Sequence, residues 1–252
     1  MNKIVLITGA SSGFGKATAE KFAANKYRII ITGRRENLLL DLKRELEKRY
    51  NAEVLPLVFD VRDRKAVDNA INSIPETWKN IDILVNNAGL ALGRDYFDEA
   101  SIDDWDNMLD TNVKGLLYVS KAVLPAMIAR NGGHIINLGS TAAKDAYEKG
   151  NVYCGSKAAV DAISKGMRVD LLRHRIKVTA IHPGAAETEF SMIRFKGDTD
   201  KAAKVYEGYQ PLKAEDIADV IYYCASLPAH VCVNDLVLTC TAQADSFYTY
   251  KG

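Results

Sequence analysis

Short runs rich in β-branched residues alternate with longer amphipathic stretches along almost the whole chain, and this alternation limits the possible folds more than any other feature. Residues 4–8, 28–32, 53–59, 81–85, 134–138, 177–181 and 236–239 read as strands. Several are apolar nearly throughout, as strands covered on both faces are. Between them lie helical stretches. Leu38, Leu39, Leu42 and Leu46 make an apolar stripe on an otherwise charged segment. A long helical segment over 101–130 is broken near Thr111-Asn112 and carries Pro125, and another covers 153–172. Strands that alternate with helices pair in parallel through right-handed crossovers. The expectation is one doubly wound α/β domain over 1–252, with a seven-stranded, mainly parallel sheet and helices on both faces. No repeat, low-complexity tract or Pro/Gly/Ser-rich linker divides it. The longest stretch without a strand, 184–213, is expected to form a lid.

Bulk properties exclude several functions. A formal net charge of +1 supplies no field for nucleic acid or an anionic membrane. The cysteines at 154, 224, 232 and 240 have no C-x-x-C spacing, and the histidines at 134, 174, 182 and 230 form no ligand pair on a helix. No metal site is expected. No apolar run reaches the ~18 residues of a membrane span. The start lacks the apolar length and cleavage site of a signal peptide. A cytoplasmic protein is the expectation.

The first strand runs into Thr8-Gly9-Ala10-Ser11-Ser12-Gly13-Phe14-Gly15, which opens a helix. Glycines there allow a tight turn and close approach of backbone to a pyrophosphate, and the helix N-terminus adds aligned N–H groups. The spacing is G-x-x-x-G-x-G rather than G-x-G-x-x-G. Gly9-Ala10-Ser11-Ser12-Gly13 also matches the G-x-S-x-G hydrolase elbow, but this is the first strand and no oxyanion loop precedes it. A nucleotide-triphosphate phosphate loop needs Gly at 10 and Ser or Thr at 17, and both are Ala.

Tyr153 and Lys157, within Tyr153-Cys154-Gly155-Ser156-Lys157, share a helix face. A neighbouring ammonium favours phenolate, and lowering a phenol from ~10 by ~2–3 units takes about 3–4 kcal/mol. This predicts a lowered Tyr153. The bland alternative is a half-buried ring with a solvated lysine over it. Ser140, upstream, could hydrogen-bond a substrate oxygen or cap a turn. Asn112 could serve the site or satisfy loose backbone groups at the helix break. Cys154 leaves the helix about 100° from Tyr153 and is given no role.

Taken in order, the glycine turn, Asn86-Asn87-Ala88-Gly89, Asn112, Ser140 and Tyr153-x-x-x-Lys157 resemble the classical short-chain dehydrogenases/reductases, over essentially the whole chain. Residues 80–93, Thr188-Glu189-Phe190-Ser191, 194–198 and 227–231 are similar to the NADP-dependent 3-hydroxy acid dehydrogenase branch, which includes serine 3-dehydrogenases and malonic semialdehyde reductases. The resemblance implies a Rossmann-type fold and a set of roles. Tyr153 is then the general acid/base. Lys157 holds the nicotinamide ribose and shifts Tyr153 toward phenolate. Ser140 stabilises charge on the substrate oxygen. Asn112 seats a water of the proton relay. Gly9, Ser11, Ser12, Gly13, Phe14, Gly15, Asn87, Ala88 and Gly89 border the cofactor. Asp60 accepts from the adenine amino group and Val61 adds a backbone contact. Pro183, Gly184 and Thr188 flank the nicotinamide carboxamide. A homotetramer is also implied, paired through 101–130 and 153–172.

The second strand ends in Gly33-Arg34-Arg35-Glu36. An NAD enzyme places a carboxylate at that strand end, whereas arginine favours a 2′-phosphate. Glu36 belongs to the first turn of the next helix, where a carboxylate is favoured. NADP is expected over NAD, with Arg34 and Arg35 on the phosphate. Arg194 and Lys196 could face a small carboxylate or belong to a solvated basic loop; the resemblance implies a short 3-hydroxy acid or β-hydroxy amino acid, or the matching carbonyl, as substrate. A broad carbonyl reductase is the second reading, and a non-catalytic dinucleotide-binding regulator the third. The charged stretch 142–150 should line the pocket but departs from the family pattern, as does the tail, 243–252.

Overall fold

The computed structural model describes residues 3–252. The elements follow in order as β1 (Ile4–Ile7), α1 (Gly13–Ala24), β2 (Arg28–Gly33), α2 (Glu36–Tyr50), β3 (Val54–Val58), α3 (Arg64–Asn72), β4 (Ile81–Asn86), α4 (Ile102–Leu109) and α5 (Leu116–Ala129). Then come β5 (Gly133–Leu138), α6 (Asn151–Leu171), β6 (Ile176–Pro183), α7 (Glu189–Arg194), α8 (Thr199–Lys204), α9 (Ala214–Ser226) and β7 (Asp235–Leu238). One sheet of seven strands has the order β3-β2-β1-β4-β5-β6-β7. Its pairs are all parallel, a stricter outcome than the mainly parallel sheet expected.

The pleat sorts the core into two layers. Val5 and Ile7 of β1 join Phe22, Ile29, Ile31, Leu39, Leu42 and Leu46 on one face. Ile4 and Leu6 join Ile30, Leu84, Val119, Val123, Met127 and Ile135 on the other. Neighbouring residues of one strand therefore serve opposite layers, which is why β1 reads as an unbroken apolar run. Each buried side chain of this size stabilises the fold by roughly 1.5–3 kcal/mol. In α2 the buried stripe is Leu39, Leu42 and Leu46; Leu38 is exposed. It lies about 100° round the helix from Leu39, at the margin of the stripe.

Around Thr111-Asn112, Asp110–Gly115 form a π-helical stretch joining α4 to α5. The wider turn re-aims side chains that a continuous α-helix would direct elsewhere. Pro125 lies inside α5, which continues to Ala129. The excursion over 184–213 carries α7 and α8.

Candidate active site

Strand order reverses between β1 and β4, so the crossover helices lie on opposite faces and a crevice opens at the carboxyl ends of these strands. A cleft of about 940 Å³ runs along that edge. Gly9, Ser11, Ser12, Gly13 and Phe14 form its floor at β1, and Asn87, Ala88 and Gly89 follow β4. Gly9 has φ +65°, and a Cβ on it would stand 2.9 Å from the Ala88 Cα. Gly15 lies beneath the floor instead of on it: its Cβ would meet the Gly9 carbonyl oxygen at 2.3 Å. The Thr8 hydroxyl accepts from the N–H groups of Asn87 and Ala88, at 3.0 and 2.9 Å. Asn87 Nδ2 donates to the carbonyls of Thr8 and Gly9, at 2.8 and 3.1 Å. The two loops are thus stitched into one surface. Asn86 is buried in the sheet and donates to Asn137 Oδ1 and Ser120 Oγ, which makes it a core residue.

At the end of β2, Arg35 Nη2 donates to Ser12 Oγ at 2.7 Å and to Ser11 Oγ at 3.0 Å. Arg34 stands 3.7 Å from Asp60 Oδ2. Glu36 is in the first turn of α2, where its position in the sequence put it. The Asp60 carboxylate accepts from the Arg62 backbone N–H at 3.0 Å and from its guanidinium at 2.6 Å. Burial pushes Asp60 up, but these Arg62 bonds and the nearby Arg34 outweigh it and hold the acid below its ordinary value. Asp60 and Val61 line the cleft, so Arg62 shares the carboxylate assigned to adenine.

Ser140 follows β5, and Tyr153 and Lys157 lie on α6; all three line the cleft. Ser140 Oγ accepts from the Ala142 N–H at 3.1 Å, so it does cap the short turn Thr141–Ala143. Its own O–H remains a donor. Lys157 Nζ donates to the Leu138 carbonyl at 2.9 Å, and burial pushes this lysine down to about 8. For Tyr153 the expected lowering is reversed. Burial, followed by the neighbouring Tyr147, raises the phenol well above its ordinary value, against smaller opposing effects of a Ser140 hydrogen bond and the Arg194 charge. A phenol 8% exposed loses hydration of its anion, and a helix-face lysine committed to a carbonyl does not make up the loss.

Asn112 is buried and stands behind the lining. Its Nδ2 donates to the Leu90 carbonyl at 2.8 Å and to Ser156 Oγ at 3.0 Å, and its Oδ1 accepts from the Leu90 N–H at 2.8 Å. Its side-chain donors are therefore spent on tying the π-helical turn to α6 and the strand exit. Pro183 and Gly184 close β6 beside the cleft, and Thr188 caps α7 by accepting from the Phe190 N–H at 3.2 Å.

The two basic residues proposed for the substrate part company. Arg194 lines the cleft, with its guanidinium 5.6 Å from the Tyr153 ring centre and Nη1 donating to the Tyr147 hydroxyl at 3.1 Å. Lys196 turns to Asp104, at 2.8 Å, and stands outside the lining. One residue separates them, but α7 ends at Arg194 and Lys196 takes a left-handed φ of 54°. Tyr147 and Arg94 also line the cleft and were missed as individual residues. Position 147 falls in the stretch read as pocket lining, whereas a lone arginine in a loop carries no pattern. From the tail, Gln243 Oε1 accepts from the Ala185 N–H at 2.7 Å, and Phe247 and Lys251 reach the cleft.

These residues fit a dinucleotide. The glycine cradle admits a backbone-close ligand, Ser12 leaves the α1 N-terminus without a side-chain cap, and two guanidinium groups stand where an adenosine phosphate would need them. When bound, the nicotinamide would supply the hydride chemistry. Fold and site together define an oxidoreductase of the Rossmann type, with a Ser–Tyr–Lys group beside the dinucleotide cleft. The chain belongs to the short chain dehydrogenase family, whose model matches residues 3–198. It is 48% identical over 242 residues to the NADP-dependent 3-hydroxy acid dehydrogenase YdfG of Salmonella typhi, covering 96% of each chain. It is 46% identical over 249 residues to sulfoacetaldehyde reductase 2 of Chromohalobacter salexigens, covering 98% of each. The closed form of a serine dehydrogenase complexed with NADP+ superposes with a TM-score of 0.92 at 45% identity, over 99% of each chain.

Proposed function

We propose that the protein is an NADP-dependent dehydrogenase that oxidises C3 of a small 3-hydroxy acid or β-hydroxy amino acid, or reduces the matching aldehyde or ketone. The observation that carries this reading is Arg194, whose guanidinium stands 5.6 Å from the ring centres of both Tyr147 and Tyr153. A carboxylate held there leaves a carbon chain only a few atoms long before the reacting oxygen meets the phenol. The NADP-dependent relatives and the Arg34–Arg35 pair support the cofactor, with NAD the lesser substrate.

In oxidation the alcohol proton passes to Tyr153 Oη as the C–O bond gains double-bond character; in reduction the same oxygen returns it. Lys157 holds a positive charge under the site beside Gly89 and would hold the ribose hydroxyls of the nicotinamide nucleotide. Ser140 Oγ accepts one N–H, from Ala142, and donates its proton in a hydrogen bond to the substrate oxygen as charge develops there. Pro183, Gly184 and Thr188 hold the carboxamide end, and Asp60 with Val61 the adenine end. Asn112 maintains the backbone through which a water relay leaves the site. The 184–213 segment closes over the substrate as a lid.

The finer setting is a cytoplasmic homotetramer. Val169 and Leu172, at the end of α6 and just past it, are exposed at 75% and 74%, and Ile102 at the start of α4 at 67%. Those are the surfaces expected to pair.

The test is turnover with NADP+ or NADPH across serine, 3-hydroxypropionate, malonic semialdehyde, sulfoacetaldehyde and neutral alcohols and aldehydes. Preference for the anionic compounds is expected. Equal or better turnover of the neutral ones replaces the reading with a broad carbonyl reductase. Tyr153→Phe is expected to lose turnover by about 10²–10⁴-fold with NADPH binding retained; unchanged turnover would leave a dinucleotide-binding regulator as the better reading.

A further inference from the structure

Behind Ser140 lies a charged group that the acid–base chemistry does not use. His182, on β6 and 0% exposed, has Nδ1 3.2 Å from the Ser140 carbonyl oxygen. Its Nε2 is 3.3 Å from Asp235 Oδ1 and 3.6 Å from Asp161 Oδ1. Lys144, just past the Ser140 turn, bridges the other oxygens of the same carboxylates, at 2.8 Å to Asp235 and 3.3 Å to Asp161. Lys165 meets Asp161 from the solvent side at 2.9 Å. The Ser140 turn, α6 and β7 thus present one carbonyl, two carboxylates and two ammonium groups round the imidazole.

The positions of these residues give the group its meaning. Asp161 follows Lys157 by one helical turn and Tyr153 by two, so it continues their face of α6. The Ser140 turn is held at both ends: its first carbonyl by His182, and its following residue, Lys144, by the carboxylates. The ring packs against Gly139, where a Cβ would stand 2.3 Å from Nδ1, so the imidazole and the backbone carrying Ser140 share one close contact.

We propose that His182 is a positioning residue: its Nδ1–H grips the Ser140 carbonyl and thereby fixes the Ser140 hydroxyl relative to Tyr153, with Asp161, Asp235 and Lys144 as the frame that locks the Ser140 turn to α6. The inference rests on the reading of Ser140 as the group that binds the substrate oxygen. Both ring nitrogens face acceptors, and a neutral imidazole has one N–H to give. The imidazolium donates from Nδ1 to Ser140 and sets its Nε2 at ion-pair distance from both carboxylates, without a hydrogen bond to either; with Lys144 and Lys165 already balancing Asp161 and Asp235, the group is uncharged when the ring is neutral. When that proton is lost, the carboxylates compete with Ser140 for the remaining N–H. Burial, then the Lys144 charge, lowers His182, while Asp235, Asp161 and the Ser140 carbonyl oppose them; the balance lies below the ordinary histidine value. The grip on Ser140 is therefore complete in mild acid and weakens as pH rises through this ionisation.

The experiment compares His182→Asn, His182→Gln and Ser140→Ala in the full chain, in the direction of carbonyl reduction and below the Lys157 ionisation at about 8, where protonated Tyr153 and charged Lys157 leave the rest of the profile flat. Asparagine places its amide nitrogen where Nδ1 was; glutamine places it where Nε2 was. His182→Gln is expected to lose about tenfold to hundredfold in kcat, the scale of a small misplacement, with KM and NADPH binding little changed. His182→Asn is expected to recover most of that loss. The wild-type kcat should fall as pH rises through the His182 ionisation, a step missing from both variants and moved to lower pH in Asp235→Asn. Equal losses in the Asn and Gln variants that track their melting temperatures, or identical pH profiles in all forms, would overturn the proposal. Inactive Ser140→Ala beside fully active His182→Gln defeats this inference alone, whereas fully active Ser140→Ala defeats the reading of Ser140 and the inference with it.

Discussion

Lys157 donates to the Leu138 carbonyl at 2.9 Å, so the cation of the acid–base pair is anchored to the last residue of β5. Only 6% of it is exposed, and burial brings it down to about 8 from 10.5. The unfolded chain takes up this proton at higher pH than the folded one. Stability is therefore lost as pH falls from 10.5 toward 8, and at neutral pH the buried charge costs about 3 kcal/mol. Lys157→Met should remove that cost while leaving Leu138 short of one donor. The expected net gain is about 1–2 kcal/mol, or roughly 2–8 °C in melting temperature. Turnover should be lost in the same variant. Melting curves at pH 7 and 10 check the sign, because the gap between the two proteins should narrow at the higher pH.

Arg35 is pre-arranged by Ser11 and Ser12, while Arg34 stands free enough to be 59% exposed. Arg34→Asp should raise the KM for NADPH far more than for NADH, by roughly 10–100-fold, the worth of a charge-assisted contact. Arg35→Ala should weaken NADPH in the same direction and also loosen the serine pair. Initial rates with the two cofactors decide it; equal losses with both would remove the 2′-phosphate assignment.

Arg194→Gln should raise KM for a carboxylate substrate by about 10–100-fold, the worth of a hydrogen bond to a charged group, and leave a neutral carbonyl of similar size almost unaffected. Lys196→Gln serves as the contrast. Its ammonium is spent on Asp104, so substrate KM should stay within about twofold of the parent; that contact is exposed on the lysine side and is worth ~1 kcal/mol or less. Steady-state kinetics on both variants with one anionic and one neutral compound separate the two roles.

The sheet was legible because parallel strands covered on both faces leave an apolar run that little else produces, as 4–7 and 29–31 do here. Tyr153 and Lys157 were legible as a pair on one helix face, and Ser140 joined them only through the resemblance of the ordered motifs to a family; the structure brings all three to the cleft lining. The titration of Tyr153 was not legible, since helix-face proximity says nothing of burial or of the Leu138 carbonyl that engages Lys157. Arg94, Tyr147 and the tail residues Gln243 and Phe247 reach the cleft only through loop paths, which have no period to read. His182 escaped for a related reason: its partners at 144, 161 and 235 come from three other elements, and only the strand order brings them together.

Far from the cleft, His134 fixes how the protein meets acid. Thr179 Oγ1 donates to the Val233 carbonyl at 2.6 Å, so its lone pair accepts from His134 Nε2–H at 2.7 Å and the ring is the neutral Nε2–H tautomer. Among the described residues His134 Nδ1 is buried without a partner. Burial, with a smaller push from the Lys177 charge, lowers this histidine from 6.5 to about 3. The unfolded chain binds the proton near 6.5 and the folded chain does not, so stability is whole above that pH. It then falls by about 1.4 kcal/mol per pH unit, reaching about 3 kcal/mol at pH 4. His134→Gln keeps a donor for Thr179 and has nothing to titrate. Denaturant unfolding between pH 7 and 4 should show a shallower loss for the variant by that margin, and parallel curves for the two proteins would show that His134 is protonated in the fold.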